Sequence, residues 1–365
     1  MADEQQGKGV ADAPGHGRPA GRRRPTIKNI AQRAGVSESA ASFALNGRPG
    51  VSEATRDRVR RVAEQLGWRP STAARALSGE GAATVGLVLA RPAETLGVDS
   101  FFLQLVSGIQ EVLAPRHLGL LLQVVEDTEA ECGVYRRWWA EHRVDGVLVV
   151  DPRTDDPRPA LLDELGLPGV VIGAIPESDP GAHHRLSQVR VEDAQAMAAV
   201  VGRLHALGHR RIAHVAGLPT LAHTARRIES LTKEAARQGL DAARSVVTDY
   251  SDAEGAAATR RVLQEPDPPT AIIYDNDVMA AAGWGAVVGL GRDVPDDVSI
   301  VSWEDSAVCR LVQPWLTALS RDAVAFGRTA AEELTALLDG GVARDVTLPL
   351  PQLIERGSTA APSGT

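Results

Sequence analysis

The 365-residue sequence has only two cysteines, Cys132 and Cys309, and no long apolar run. Two cysteines far apart in apolar-rich segments favour reduced thiols over a disulfide. A helix needs about 20 consecutive apolar residues to cross a bilayer, and no stretch approaches that length. Met1 to Gly21 also lack the apolar core of a signal sequence. We therefore expect a cytoplasmic protein that has no membrane partner.

Motifs that carry catalysis are also missing from the sequence. It contains no Walker-type phosphate loop, no Gly-x-Gly-x-x-Gly after a strand, no His-Glu-x-x-His and no Gly-x-Ser-x-Gly elbow. His205 and His209 have the spacing of two metal ligands on one helix, but Gly208 is expected to end that helix between them. His183 and His184 have no acidic or cysteine partner at ligand spacing. We expect no enzyme activity, no metal site and no cofactor.

Charge is unevenly distributed along the chain, whose net charge is -8. From Arg18 to Ser78 there are 13 Lys and Arg against 4 Asp and Glu, a balance of +9, so the remainder carries -17. A basic segment on an acidic body predicts a polyanionic partner for that segment. The alternative is that the basic residues only solvate exposed helices.

The basic segment contains the pattern of a helix-turn-helix. Thr26 can cap a first helix, whose apolar face follows helical spacing at Ile27, Ile30, Ala31 and Ala34. Gly35 then supplies a left-handed turn, and Ser37 caps a second helix. A third helix begins behind Ser52, with a buried stripe formed by Val59, Val62, Ala63 and Leu66. In a helix-turn-helix the second helix enters the major groove of DNA.

Short motifs in this region resemble the lac repressor family of bacterial transcription regulators. In chain order they are Thr26-Ile-Lys-Asn-Ile-Ala, Ala34-Gly-Val-Ser, Leu45-Asn-Gly, Val51-Ser, Thr55-Arg, Leu66-Gly-Trp-Arg-Pro and Ala74-Arg-Ala-Leu77. The resemblance continues through the rest of the chain. It implies an all-α helix-turn-helix DNA-binding domain at 25–69, a hinge helix at 70–80 and an effector-binding and dimerisation core at 84–356. Residues 1–24 are expected to form a disordered tail.

The resemblance also implies which residues contact DNA. Base and phosphate contacts fall on the exposed face of the second helix, at Ser37, Glu38, Ser39, Ser42 and Phe43. Backbone contacts fall on residues whose hydroxyl or amide can bond a phosphate oxygen, namely Thr26, Asn46, Ser52 and Thr55. Many family members have arginine at the position of Phe43. We expect Phe43 to contact a thymine methyl group, or else to belong to the core, and Glu38 to accept from a cytosine amino group.

The segment 70–80 matches the hinge helix of the family. A helix this short is unstable alone, so it would be ordered by pairing with a second subunit across a minor groove. Leu77 then matches the leucine that wedges into the central base step, and Arg75 matches a position near the groove wall. The alternative is an ordinary linker helix with Leu77 packed on the core.

From Thr84 onward short β-rich runs alternate with helix-length amphipathic segments. This alternation predicts an α/β core of two doubly wound parallel-sheet subdomains, and the resemblance implies the same periplasmic-binding-protein-like topology. The first subdomain is predicted at 84–189 and 321–341, and the second at 190–320 and 342–356. Residues 357–365 are expected to be a disordered tail. A small ligand should bind in the cleft, at the carboxyl ends of the strands.

Matching motifs name eight candidate residues for the effector site. Carboxylates, amides and guanidinium groups can hold the hydroxyls of a sugar, and aromatic rings can hold its C–H faces. Each candidate also has an ordinary alternative, such as an exposed ion pair, an asparagine turn or an aromatic residue of the core. The candidates are Phe101, Phe102, Arg227, Tyr250, Asn276, Trp303, Glu304 and Arg321.

The sequence therefore predicts a ligand-responsive, DNA-binding transcriptional regulator. We expect a repressor of carbohydrate uptake or catabolism genes that binds a pseudo-palindromic operator as a homodimer and is switched by a small sugar. The family's tetramers use a C-terminal heptad zipper, and no zipper pattern is present from Ser358 onward. Two alternatives stay open, a solute-binding protein with the same core fold and a regulator that senses a purine or a sugar phosphate.

Overall fold

The computed structural model describes residues 25–68, 81–91, 100–175 and 186–363. The chain divides into two compact units, with the boundary between Ser78 and Gly79. The predicted tail at 1–24 and the hinge helix at 70–80, including Arg75 and Leu77, lie outside the described residues.

Residues 25–68 fold into three short helices, α1 (Ile27–Ala34), α2 (Glu38–Leu45) and α3 (Glu53–Gln65). The predicted caps are confirmed. Thr26 forms a capping box with Asn29, while Ser37 and Ser52 accept the backbone N–H groups of Ala40 and Thr55 at 3.2 and 3.3 Å. Because each side chain satisfies a free backbone donor, the short helices begin at defined residues. Gly35, with φ 65°, makes the turn between α1 and α2.

The core of this unit consists mainly of small side chains. Its buried residues are Ile30, Ala31, Ala34, Ala41, Ala44, Val59 and Ala63. Alanines on the inner faces allow three short helices to approach closely, and larger residues such as Val62, Leu66 and Trp68 close the edges. The predicted helical stripes are therefore confirmed.

The second unit contains two α/β subdomains. The described residues of the first form the sheet order β11-β5-β4-β3-β1-β2. Its strands are β1 (Thr84–Ala90), β2 (Gly119–Val125), β3 (Gly146–Val150), β4 (Gly169–Ile172), β5 (Leu186–Arg190) and β11 (Asp345–Thr347). Its helices are α4 (Ser100–Leu113), α5 (Thr128–Ala140), α6 (Arg158–Leu165) and α11 (Ala323–Leu338). Helices α4 and α11 cover one face of the sheet and α5 and α6 the other.

The second subdomain has the sheet order β12-β10-β9-β8-β6-β7. Its strands are β6 (Arg211–Ala216), β7 (Ala242–Val247), β8 (Ala271–Tyr274), β9 (Ser299–Ser302), β10 (Thr317–Ser320) and β12 (Gln352–Ile354). Its helices are α7 (Asp193–Ala206), α8 (Ala222–Gln238), α9 (Asp252–Leu263), α10 (Asp277–Gly289) and a 3-10 turn at Val308–Arg310. All pairings are parallel except that of β12 with β10. The prediction of two doubly wound subdomains is confirmed.

Two predicted boundaries near the C-terminus are wrong. Residues 342–347 were assigned to the second subdomain, but β11 pairs with β5 at the edge of the first sheet. Val346 packs against the core of that subdomain, and Arg344 bonds Glu333 of α11. After α11 and β11, the chain returns to the second subdomain with β12.

Residues 357–363 are not a disordered tail. Ser358 is buried, its Oγ accepts from Thr317 N at 2.7 Å, and it donates to the Ile300 carbonyl at 2.7 Å. The Ala360 carbonyl lies 2.9 Å from Nε2 of His209, which is a buried residue with a structural partner. Polar contacts hold this segment, and a sequence pattern based on apolar residues does not reveal them.

Glycines allow unusually close packing of α4 on α11. A Cβ added to Gly108 would lie 1.9 Å from the Val324 carbonyl oxygen, and one added to Gly327 would lie 2.0 Å from the Leu105 carbonyl oxygen. Only glycine permits backbone approach at this distance. The two helices come from distant parts of the chain, so this contact fixes α11 on the first subdomain.

The subdomains also meet through a short backbone ladder. Arg153 pairs with Leu221 in an antiparallel bridge, Thr154 N donates to Thr220 O at 3.0 Å, and Ala222 N donates to Pro152 O at 2.8 Å. This ladder joins the end of β3 to the start of α8, beside the cleft. Among the described residues, no helix is both long enough and apolar enough to cross a membrane.

Candidate effector cavity and DNA-reading face

A cavity of about 740 Å³, including the space at its mouth, lies between the two subdomains. It is built where strands end, because Arg91 follows β1, Asp151 follows β3, Tyr250 follows β7 and Arg321 follows β10. This is the position expected for a ligand in a doubly wound fold. Seven of the eight predicted residues line it, namely Phe101, Phe102, Arg227, Tyr250, Asn276, Glu304 and Arg321. Their role in binding stays a prediction.

Arg227 lies at the centre of a buried ion network. Its Nη1 donates to Asp275 Oδ1 at 2.9 Å and its Nε donates to Asp193 Oδ1 at 3.3 Å. Asp275 also accepts from Gly217 N at 2.9 Å and lies 3.0 Å from His214 Nε2. Burial alone would raise the pKa of Asp275, but Arg227 and His214 lower that pKa well below its ordinary value. The same carboxylates raise the pKa of Arg227 despite burial, so its charge is permanent.

Arg226 links this network to the first subdomain. Its Nε and Nη2 donate to Asp193 Oδ2 at 3.2 and 3.0 Å, and its Nη1 donates to the Ala174 carbonyl at 3.1 Å. Asp193 begins α7 just after the chain enters the second subdomain, and Ala174 follows β4 of the first. A single guanidinium therefore joins both walls of the cavity.

Trp303 does not line the cavity, which corrects the prediction that it provides a platform for a ligand. Only 1% of Trp303 is exposed, and it belongs to the core that α7 and α8 cover. The guanidinium of Arg227 lies 4.3 Å from the centroid of its ring. Trp303 thus holds Arg227 in the cavity wall through a cation–π contact. Trp303 directly follows β9, and its side chain packs in this core instead of lining the cavity.

Glu304 and Arg321 form an ion pair on the wall of the second subdomain, and the Arg321 guanidinium lies 4.2 Å from the ring centroid of Phe101. Nε of Arg321 is buried and has no hydrogen-bond partner among the residues that the structure describes. A buried donor without a partner costs roughly 1–3 kcal/mol, so an oxygen of a ligand could bond it favourably.

Arg91 and Tyr250 meet across the cleft. The Arg91 guanidinium lies 5.2 Å from the ring centroids of both Phe102 and Tyr250, and its Nε donates to Asp151 at 2.6 Å. Burial would raise the pKa of Asp151, yet Arg91 outweighs it and lowers that pKa to about 2. A cation stacked between two aromatic rings is a favourable arrangement in a site shielded from water.

Backbone geometry holds Tyr250 and Asn276 in place. Tyr250 has φ 72°, and its hydroxyl lies 2.9 Å from His223 Nε2 and 2.8 Å from Thr224 Oγ1. Asn276 caps α10 through Met279 N at 2.8 Å, and its Nδ2 donates to the Tyr250 carbonyl at 3.1 Å. Burial and then Arg227 lower the pKa of His223 to about 3, so this imidazole is neutral at pH 7. Asn276 therefore both caps α10 and lines the cavity.

Sequence reasoning missed several polar residues of the cavity. Arg91, Asp151 and Asp275 directly follow the buried strands β1, β3 and β8, and this placement alone could have identified them. Asp193, His223 and Arg226 lie at the beginnings of helices, and only the folded structure brings them to the cavity. The polar and aromatic lining residues that were missed are Arg91, Asp151, Asp193, His223, Arg226, Asp275 and Phe326.

The helix-turn-helix unit exposes most of the predicted DNA contacts. Ser37, Glu38 and Ser39 are exposed at the beginning of α2, and Ser42 is half-buried with its Oγ 3.3 Å from Asn46 Nδ2. Thr26 and Ser52 are exposed caps, and Thr55 is half-buried, with its hydroxyl 2.9 Å from that of Ser52. Their contacts with DNA stay predictions.

Phe43 is not a core residue. Its side chain is 38% exposed on α2, with its ring beside the backbone of Gly50. An exposed aromatic residue on the second helix of this motif is available to a base edge. This placement removes the alternative that Phe43 belongs to the core.

Two family models match the chain. Residues 26–71 match the model for bacterial regulatory proteins of the lacI family, and residues 201–359 match that for a periplasmic binding protein-like domain. A helix-turn-helix unit followed by two α/β subdomains around a cavity defines a ligand-responsive transcriptional regulator. The similarity of the chain to known regulators extends over nearly its whole length.

The HTH-type transcriptional regulator CelR of Thermobifida fusca is 31% identical over 333 residues, which cover 90% of this chain and 96% of that one. A solved complex of transcriptional regulator CelR with cellobiose has a TM-score of 0.69 and 28% identity, covering 92% of this chain and all of that one. A LacI family regulator from Bifidobacterium animalis has a TM-score of 0.69 and 34% identity, covering 77% and 99%. The chain belongs to the lacI family of bacterial transcription regulators.

Proposed function

We propose that this regulator represses genes of carbohydrate uptake or catabolism, and that a neutral sugar in the cavity between the subdomains switches it. The regulator would bind a pseudo-palindromic operator as a homodimer in the cytoplasm, since two-fold symmetry of the protein is matched by that of the DNA. Effector binding would change the relative position of the subdomains, so effector affinity and operator affinity are coupled reciprocally.

The charge balance of the cavity carries the proposal of a neutral ligand. Of the described residues that line it, four are arginines and four are carboxylates. Arg91 pairs with Asp151, Arg226 and Arg227 share Asp193, Arg227 also pairs with Asp275, and Arg321 pairs with Glu304. The charge of each arginine is thus already balanced, so a phosphate would add uncompensated negative charge beside buried carboxylates.

The remaining lining suits a sugar. Phe101, Phe102, Tyr250 and Phe326 offer apolar faces, while carboxylates and the Arg321 Nε offer hydrogen bonds to hydroxyls. The similar CelR structure contains cellobiose, which supports a saccharide for this chain as well. A purine fits the aromatic walls but has fewer groups to use the carboxylate acceptors. The helix-turn-helix unit argues against a mere solute-binding protein.

Thermal unfolding of the purified full chain tests the proposed ligand class. The ligands are neutral mono- and disaccharides, sugar phosphates and purines. A ligand that binds only the native state stabilises it by about 2.7 kcal/mol at a hundredfold excess over Kd. We expect a shift of the melting temperature from a neutral sugar and none from its phosphate. A shift with purines or phosphates alone would contradict the proposal.

A matched pair of variants locates the response. Arg321→Met removes a cavity arginine. It should raise at least tenfold the ligand concentration that is needed for the same shift of the melting temperature. Arg310→Met is the control, because Arg310 pairs with Asp305 at 3.2 Å on the surface and does not line the cavity. Equal responses of the two variants would place the sugar elsewhere.

Operator binding is tested with DNA selected from a random pool by the purified protein. We expect log K to fall linearly with log salt, with a slope near -0.9 for each phosphate neutralised. The sugar found by thermal unfolding should change the affinity for the selected DNA. A selected sequence without two-fold symmetry would contradict the homodimeric arrangement.

A further inference from the structure

A second cavity, with about 680 Å³ of empty space including its mouth, adjoins the first. The two cavities share Arg91 and Tyr250, and their other lining residues differ. The second lies where β1 and β2 of the first subdomain end, opposite the segments that follow β6 and β7 of the second subdomain.

Arg91 and Tyr250 form the wall that the two cavities share. The Arg91 guanidinium lies 5.2 Å from the ring centroid of Tyr250, and these residues belong to different subdomains. Arginine is a long side chain with several rotatable bonds, so a ligand that replaces its stacking contact can join the two spaces.

The lining of the second cavity has both parts that a sugar ring requires. Leu218, Leu221 and Tyr250 provide an apolar surface, while Glu126, Asp127 and Asp249 provide carboxylates. Asp127 and Asp249 each accept one backbone N–H, at 2.8 and 2.9 Å. A carboxylate has about four acceptor positions, so each retains capacity for a hydroxyl.

Arg153 supplies a donor on the same wall. Its Nε is buried and lacks a hydrogen-bond partner within the described part of the chain, although its Nη2 donates to the Ala90 carbonyl at 3.4 Å. An oxygen of a ligand would satisfy this donor. The three carboxylates exceed the cations that line the cavity, and Arg91 is already paired with Asp151. An anionic group such as a phosphate or a uronate is therefore disfavoured here.

We propose that the effector is a neutral oligosaccharide of at least two rings. One ring occupies the first cavity, and the next passes Arg91 and Tyr250 into the second. This inference rests on the proposed function of the first cavity as a neutral-sugar site. The second ring also lies beside the ladder between Arg153 and Leu221, where the subdomains meet. A longer ligand thus contacts both subdomains at two places and couples more strongly to their relative position than a monosaccharide does.

Calorimetric titration of the full chain tests the second subsite. The probes are glucose, galactose, mannose and xylose, each with its α- and β-linked disaccharides and one trisaccharide. In the series that binds, the disaccharide should bind at least tenfold more tightly than its monosaccharide. Glu126→Trp fills the second cavity and should remove this difference, with the monosaccharide Kd unchanged within twofold.

The control is Glu129→Trp, a change of the same residue type on an exposed position of α5 that does not line the cavity. It should leave both affinities unchanged. Asp249→Asn preserves side-chain size and should weaken disaccharide binding three- to tenfold without affecting the monosaccharide. Operator binding by each variant verifies that it is folded.

The outcomes separate the two proposals. Equal affinity for a monosaccharide and its disaccharides, or equal weakening of both by Glu126→Trp, overturns the second subsite and leaves the first cavity as the sugar site. Absence of binding by every sugar overturns the proposed function and this inference together.

Discussion

Replacement of Arg227 by methionine removes the cation that, among the described residues, contacts both Asp193 and Asp275. Arg227 is 3% exposed and bonds Asp275 at 2.9 Å. Removal of one partner from a buried ion pair costs roughly 3–5 kcal/mol, because the other charge stays buried. Asp275 keeps Gly217 N and His214 as partners, and Asp193 keeps Arg226, so we expect the lower end, about 3 kcal/mol.

Urea unfolding of the full chain, followed by circular dichroism at pH 7, measures this loss. Against a total stability of roughly 5–15 kcal/mol, about 3 kcal/mol is a large fraction and lowers the midpoint clearly. The second variant is Asp275→Asn combined with Arg227→Met. It removes the isolated charge, so it should be more stable than Arg227→Met alone.

The loss should also depend on pH. Since the pKa of Asp275 is lowered in the folded protein, its ionised form contributes stability above the unfolded pKa of about 3.9, and this contribution disappears as pH falls. Without Arg227 the pKa rises and most of that contribution is absent. The difference between wild type and Arg227→Met should therefore persist from pH 7 down to about pH 4 and shrink as the pH falls further. A loss below 1 kcal/mol, or one independent of pH and of Asp275, would refute this reasoning.

Three further predictions concern other parts of the molecule. Gly108→Ala places a Cβ 1.9 Å from a carbonyl oxygen and should lower the stability by about 3 kcal/mol in thermal unfolding. Gly133→Ala, which has open space around it, should raise the stability by about 0.5–1 kcal/mol. Equal effects of the two variants would contradict the close packing of α4 on α11. Phe43→Ala should weaken binding to the selected operator without changing the salt slope, since no phosphate contact is lost, and a changed slope would argue against a base contact. Arg91→Met should raise the pKa of Asp151 from about 2. The variant should be clearly less stable than wild type at pH 7, and the difference in stability should vanish as the pH of the measurement is lowered to about 2.

Periodic patterns were sufficient to predict the regular elements. The alternation of β-rich runs with amphipathic segments predicted the α/β core, because elements such as the helix at 323–338 and the strands at 211–216 and 271–274 are either continuous buried runs or amphipathic stripes. The ends of the chain were harder. Residues 345–347 and 357–363 are short and are held by backbone pairing and polar contacts, which produce no periodic signal.

The cavity was predicted in part for a similar physical reason. Motifs identified single residues such as Arg227 and Asn276, whose types suit a sugar. Their partners are missing from the prediction because an ion pair between Arg226 and Asp193 joins residues far apart in sequence. A motif also does not reveal whether a large side chain at the end of a strand packs in the core or lines the cavity. For this reason Trp303 was wrongly predicted to line the cavity.

The pairing of β11 with β5, and of α11 with α4, has a consequence for synthesis of the chain. The ribosome delivers residues 84–190 early, but α11 and β11 emerge only when residues 323–347 have been made. Until then the apolar cluster that includes Leu105, Ile109 and Leu148 lacks the side chains that α11 contributes. The second subdomain, whose β6 to β10 are contiguous, can form its sheet first. The nascent first subdomain thus exposes apolar surface while residues 191–347 are made, and this is the stage at which chaperones would bind it.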